Sequence, residues 1–456
     1  MKQTSAASTK QKHPPGLYVL FLTEMWERFS YYGMRAILVL YLVTTTAKGG
    51  LGWSEQDAAH LYGWYTGLVF LTPLIGGWLA DRWLGTHRSM LIGGAIIAAG
   101  HFTLTLPVAM AFYLGLALIV IGTGFFKPCV STMVGHLYGE DDPRRDSGFT
   151  IFYMGINLGA LLGTLLCGYL GESERFGWHY GFGAAGVGMV AGLIGYVVLR
   201  HKYIPPEIGA PPKKLRTHQA ERAQRAPLTA EERKNVLVIL IAAVFTIFFW
   251  MAFEQAGSSM NLFAMRFTDR TFFGIETPAS WFQSINSIAI LILAPVFAAG
   301  WLRLGARGKE PSTTVKMALG MLLLAAGFVA MVAGSLAARS GQLVSPLWLT
   351  LAYVLHTCGE LCLSPVGLSL VTKLAPPRFA SLLMGIWFLS SAAANLIAGY
   401  LAGAQKMIED GEVFHIFGGM ADFYLMFVAT SLLAGLIMLA LTPKLKVLMA
   451  HHEGRA

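Results

Sequence analysis

Residues 17–44 read LYVLFLTEMWERFSYYGMRAILVLYLVT. Crossing a bilayer takes about 20 mostly apolar residues, and this run is long enough. Its middle nevertheless holds Glu24, Glu27, Arg28 and Arg35. At roughly 100° per residue, Glu24, Glu27, Arg28, Tyr31 and Arg35 fall within an arc of about 100°. A helix that is apolar except for one polar stripe must turn that stripe into a bundle. An ionisable group inside a span costs at least about 2 kcal/mol and by default marks function. With these charges the first apolar stretch is not expected to be a cleavable signal peptide, whose apolar core does not tolerate them.

The rest of the chain has the same character. Of 456 residues, 55% are hydrophobic and only 13% charged, against about a quarter charged in soluble domains. That deficit excludes disorder, a coiled coil and an ordinary cytosolic enzyme. The 51 glycines suit close helix packing in lipid. Twelve apolar runs are expected to span the membrane: 17–44, 56–80, 88–108, 111–137, 147–170, 179–200, 235–264, 279–301, 313–336, 346–373, 379–403 and 420–442. They are too long, and too poorly alternating, for strands of a membrane barrel. The one long polar interruption, 201–234, divides them into six plus six.

The expected organisation is an N-terminal tail (1–16), a six-helix bundle (17–200), a linker (201–234), a second six-helix bundle (235–442) and a C-terminal tail (443–456). An even span number puts both termini on one side. Of the 34 Lys and Arg residues, 25 fall on the side of the tails and linker and 6 on the other. Cytoplasmic loops collect basic residues, so tails and linker are expected in the cytoplasm, in a multi-pass cell (inner) membrane protein. The net charge of +9 then reads as orientation, and nucleic acid drops out as a partner. Cys129, Cys167, Cys358 and Cys362 lack zinc-type spacing and read as small packing residues.

The two halves repeat weakly. Pro73, Gly77-Trp78-Leu79 and Leu84-Gly85 find counterparts in Pro295, Gly300-Trp301-Leu302 and Leu304-Gly305. Lys127-Pro128 matches Ser364-Pro365, and Asn157-Leu158 matches Asn395-Leu396. Parallel six-helix halves related by an axis along the membrane normal form the major facilitator architecture, with its site at the midplane between them. The expected fold is therefore all-α, twelve transmembrane helices in two bundles.

Across such a cavity the first half would present Arg28, Arg35 and Lys127, and the second Glu254 and Glu360. Opposite signs on opposite walls suit a zwitterion, its carboxylate toward the first half and its ammonium toward the second. A structural ion-pair network would explain paired charges, but not an excess of cations facing one cavity. Asn157 and Asn286 add neutral hydrogen bonds, and Tyr31, Tyr32, Trp250 and Trp387 could line side-chain pockets. Glu24 or Glu27 near Lys127 could alternate between protonated and ion-paired states, linking proton to substrate occupancy. No H-E-x-x-H, G-x-S-x-G or nucleotide-binding loop is present, which disfavours an intramembrane enzyme. A receptor role lacks a soluble sensing domain.

These residues resemble the proton-dependent oligopeptide transporters of the major facilitator superfamily. Residues 24–33, EMWERFSYYG, are similar to the family's E-x-x-E-R-F-x-Y-Y-G signature, and 76–85, GGWLADRWLG, to its second. Further matches are Phe149 to Leu161, Phe126-Lys127-Pro128, Trp250 with Glu254-Gln255, Trp281 to Asn286, and Gly359-Glu360-Leu361 with Ser364-Pro365. The resemblance runs from about 17 to 442. It implies a bacterial proton-coupled symporter of di- and tripeptides, working as a monomer in the lipid bilayer with no cofactor beyond the coupling proton. It assigns Arg28, Arg35 and Lys127 to the peptide carboxylate, and Asn157, Asn286 and Glu360 to its amine. Glu24, Glu27, Arg28 and Lys127 would couple protons. Arg35 with Glu254 would gate, and Tyr32, Trp250, Ser364 and Trp387 would line the pocket. Phe70 stands where many members have Tyr, which loses a hydroxyl. Gly63 stands where animal members have His. The short linker leaves no room for two extra helices, so twelve spans are expected rather than fourteen. The rivals are a transporter of nitrate or another small anion, as in plant relatives, and a drug/proton antiporter.

Overall fold

A computed structural model describes residues 12–139, 142, 144–210, 229–376 and 379–453. The expected N-terminal tail lies outside these up to residue 11, as does linker segment 211–228 and the last three residues of the C-terminal tail. The first half contains α1 (Pro15–Val43), α2 (Glu55–Leu79), α3 (Gly85–Thr103), α4 (Ala109–His136), α5 (Arg145–Glu172) and α6 (Trp178–Tyr203). The second contains α7 (Ala230–Phe253), a short α8 (Ser259–Phe267), α9 (Ser284–Ala306), α10 (Thr313–Ala338), α11 (Leu347–Leu374), α12 (Ala380–Gly403), a short α13 (Gln405–Glu409) and α14 (Met420–Glu453).

Local chemistry sets several ends. Pro15 opens α1, where its missing N–H costs nothing. Ser54 Oγ caps α2 by accepting from Asp57 N at 3.1 Å. Thr229 and Glu232 form a reciprocal capping box on α7. That box starts α7 inside the stretch expected to be linker. At the other end of the chain, α14 runs through Pro443 to Glu453, so most of the expected C-terminal tail is helical. The expected all-α composition has one small exception, an antiparallel hairpin of β1 (Thr271–Phe272) and β2 (Ile275–Glu276).

Nine of the described segments are apolar and long enough to cross a membrane by length and composition. The helices α1, α2 and α3 are not among them. In α1 the cause is its four charges, which the bundle hides: Glu24, Glu27, Arg28 and Arg35 are all buried. The run expected as a single helix over 235–264 instead breaks at a tight turn, Glu254–Gly257. Gly257 is required there, because a β-carbon would collide with the Tyr62 hydroxyl of α2.

Helix α1 is the hub of the first six helices, packed along α5 and α6, with α3 on α4 beside it. In the second group α10 packs along α11 and α14. The two groups meet where α2 lies along α12 and where α5 meets α9. Gly63 and Gly399 set the first seam: a β-carbon on Gly63 would come within 2.7 Å of the Gly399 Cα. Backbones this close need small residues.

Candidate functional site

Between the two bundles lies a cavity of about 310 Å³. Its walls come from α1, α2, α4 and α5 on one side and from α7, α9, α11 and α12 on the other. Fourteen of the residues singled out from the sequence line it: Glu24, Arg28, Tyr31, Tyr32, Arg35, Phe70, Lys127, Asn157, Trp250, Glu254, Asn286, Glu360, Ser364 and Trp387. Glu27 does not. It is buried one layer behind, against Arg28. The members of two repeat pairs, Lys127 with Ser364 and Asn157 with Asn395, all face this one space.

The charges are more locally neutralised than a positive wall opposite a negative one. Arg28 pairs with Glu27 and, through Nε at 3.1 Å, with Glu24 Oε1 on its own helix. Arg35 pairs with Glu254 of the other bundle and donates from Nε to the Tyr62 hydroxyl. Tyr32 lies between the two guanidiniums, 6.0 Å from Arg28 and 5.7 Å from Arg35. That leaves Lys127 and Glu360, neither of which is in an ion pair among the described residues. The opposite-sign arrangement thus reduces to one ammonium on the first bundle and one carboxylate on the second.

Each is held by a specific neighbour. The Lys127 Nζ sits 3.9 Å from the centre of the Phe70 ring, a cation–π contact. Asn286 Nδ2 donates to Glu360 Oε2 at 2.9 Å and to Thr357 Oγ1 at 3.0 Å. The Thr357 hydroxyl spends its own proton on the Tyr353 carbonyl at 2.7 Å. Asn157 is tied to its own helix, its Nδ2 donating to the Tyr153 carbonyl at 3.0 Å. Trp387 is buried and Trp250 partly so, and both offer apolar wall.

Residues not singled out from the sequence also line the cavity, among them Tyr153, Gln283, Tyr353, His356, Ser391 and Asn395. Tyr153, Gln283 and Asn395 stood inside quoted motifs without a role. Thr357 had a readable signal: it lies three residues before Glu360, on the same face of an otherwise apolar helix.

The cavity is shut on the side away from the linker. There Asn261 Nδ2 and Gln283 Nε2 both donate to the Ala36 carbonyl, at 2.8 and 3.2 Å. Nearer that surface Arg266 pairs with Glu55 of the other bundle. Among the described residues no group of His, Cys, Asp and Glu could hold a metal ion.

The family model described as the POT family matches residues 87–217 and 213–414. A peptide transporter of Yersinia enterocolitica is 39% identical, over 86% of this chain and 88% of its own length. A di-/tripeptide transporter of Lactococcus lactis is 36% identical, over 89% and 92%. A crystal structure of a peptide transporter POT in complex with sulfate shares 38% identity, with a TM-score of 0.86 over 96% of both chains. A twelve-span, two-bundle architecture and relatives matched over nearly their whole length agree: the chain belongs to the POT family of membrane transporters.

Proposed function

We propose that the protein is a proton-coupled symporter of di- and tripeptides working by alternating access. The observation that carries this reading is the pair Lys127 and Glu360, one from each bundle, facing one cavity with no ion partner among the described residues. A zwitterionic peptide supplies both partners, its carboxylate toward Lys127 and Arg28 and its ammonium toward Glu360 and Asn286. Arg35 stands on the same wall to share the carboxylate, Asn157 adds a neutral hydrogen bond for the amine, and Ser364 lines the pocket. Trp250, Trp387, Tyr31, Tyr32 and Phe70 bound the space for side chains. The names of the Yersinia and Lactococcus relatives support the substrate class.

Proton coupling is read from the cluster behind the site. Glu24 and Glu27 share Arg28, next to Lys127. A peptide carboxylate drawn to Arg28 or Lys127 competes with these glutamates for positive charge, and a glutamate that loses its partner takes up a proton. Proton and peptide occupancy are thereby linked, with no cofactor and no covalent step. One charge crossing 100 mV carries about 2.3 kcal/mol, enough to drive uphill uptake. The halves 17–200 and 235–442 rock about the site, and the Arg35–Glu254 pair closes it on one side. That 25 of the 34 Lys and Arg residues fall on the side of the tails and linker supports cytoplasmic termini in the cell membrane. The complete site within one chain supports a functional monomer.

The test is reconstitution in liposomes with an imposed pH gradient and peptides of two to four residues. Accumulation of di- and tripeptides that collapses with the gradient is expected. Labelled dialanine uptake that nitrate inhibits and other peptides do not, or export promoted by the gradient, would overturn the reading.

A further inference from the structure

Helix starts leave their first N–H groups without partners, and Ser, Thr, Asp or Asn just before the helix usually accepts from them. The helical span Ala279–Ala306 has Pro278 at that position, with no side-chain acceptor to give. Its cap comes instead from the other bundle. Glu172, the last residue of α5, accepts from Ala279 N at 2.7 Å through Oε2 and from Ser280 N at 3.0 Å through Oε1. The Ser280 hydroxyl donates to the same Oε1 at 2.5 Å. Two turns back along α5, the Trp281 indole N–H donates to the Leu165 carbonyl at 2.9 Å. Ser280 is fully buried against Gly168 of α5, where a β-carbon would strike its hydroxyl.

We propose that Glu172 is a gating residue: its capping of the Ala279–Ser280 helix start across the seam is a latch that must release for the cavity to open away from the linker. The latch is separate from the Arg35–Glu254 pair, which lines the cavity itself. It is built for reversal. An ionised acceptor makes the three bonds stronger than neutral ones, while the donors are neutral. Release therefore strands no buried positive charge, and water at the surface end of the seam can take over the freed groups. A salt bridge in the same place would leave two charges to be resolvated. The inference rests on the alternating-access reading above and adds to it one named residue pair.

The test uses spin labels at Lys48→Cys and Glu412→Cys, exposed on the two halves at this end, with the four native cysteines replaced. Distance distributions are recorded in lipid nanodiscs without peptide. Glu172→Ala and Glu172→Gln are expected to raise the long-distance population about fivefold, the size of a lost helix cap, with melting temperature near that of the parent. Ser280→Ala, which removes one of three donors, is expected to shift it less. An unchanged distribution overturns the latch, as does a fall in melting temperature without a shift in distance. The readout contains no substrate, so a parent protein that fails to accumulate peptide would refute the transport reading while leaving the latch result to stand by itself.

Discussion

Lys127 and Phe70 meet face to point: the ammonium Nζ lies 3.9 Å from the ring centre. Phe70 is thus the residue that holds Lys127, a first-bundle cation with no ion pair among the described residues. A cation–π contact in a desolvated setting is worth about 1–2 kcal/mol. Phe70 therefore orients Lys127 without neutralising it, and leaves its charge for an incoming carboxylate.

From this contact, Phe70→Leu is expected to raise the KM for dialanine uptake about fivefold, the equivalent of about 1 kcal/mol. Phe70→Tyr keeps the ring and is expected to leave KM within about twofold. Kinetics of labelled dialanine uptake in liposomes decide it. Equal KM values for the leucine variant and the parent would show that the ring does not position Lys127.

Glu27 shares Arg28 with Glu24 but stays out of the cavity, so it can take part in proton movement without touching peptide. Glu27→Gln is expected to abolish uptake driven by a pH gradient while sparing part of the counterflow exchange. Proton-driven accumulation that persists in this variant removes Glu27 from the coupling path.

Thr357 touches no cavity charge directly, yet its hydroxyl receives Asn286 Nδ2 at 3.0 Å and so aims the amide that also binds Glu360. Thr357→Val deletes one hydrogen bond worth about 1 kcal/mol, and about a fivefold loss of affinity is expected for peptides with a free amine. N-acetylated peptides, which lack the ammonium, should show no comparable change. The ratio of the two inhibition constants is the measurement, and an equal loss for both assigns Thr357 a packing role only.

The Arg35–Glu254 pair is buried on both sides. Removing one partner of a buried pair strands the other and costs about 3–5 kcal/mol. Arg35→Ala is accordingly expected to melt well below the parent in detergent, and the double variant Arg35→Ala/Glu254→Ala to recover part of that loss. A double variant at least as unstable as the single one would mean that the pair is not isolated as a unit.

On the linker-side surface, Arg144 donates to both oxygens of Asp142 and holds its carboxyl down at about 2. With the native value below the unfolded one, about 3.9, the pair's contribution is complete above pH 4 and is lost as pH falls through about 2. Asp142→Asn is therefore expected to leave the shape of the uptake profile between pH 5 and 8 unchanged. A displaced profile would place a titrating group of the transport cycle in this loop.

The apolar runs and the polar stripe of α1 were legible in the sequence because both are local. Hydrophobic run length and a repeat of 3.6 residues depend on near neighbours alone, and the burial of Glu24, Glu27, Arg28 and Arg35 follows from having no apolar face to spare. The motifs around Lys127, Asn286 and Glu360 likewise marked residues that converge on one cavity. The break at Glu254–Gly257 was not legible. It arises where the Tyr62 hydroxyl of a distant helix occupies the space of a side chain at Gly257.

What the sequence by itself determined is the set of membrane-crossing segments and the kinds of polar group they carry inward, since water and lipid sort residues one segment at a time. Tertiary structure decided which of those charges are cancelled. Arg35 finds Glu254, and Glu172 finds a helix start in the other half, whereas Lys127 meets an aromatic ring and Glu360 the neutral Asn286. Partners far apart in the chain meet only when helices pack, and whether two charges stand a few ångströms apart or a helix diameter apart sets whether they cancel or wait for a ligand.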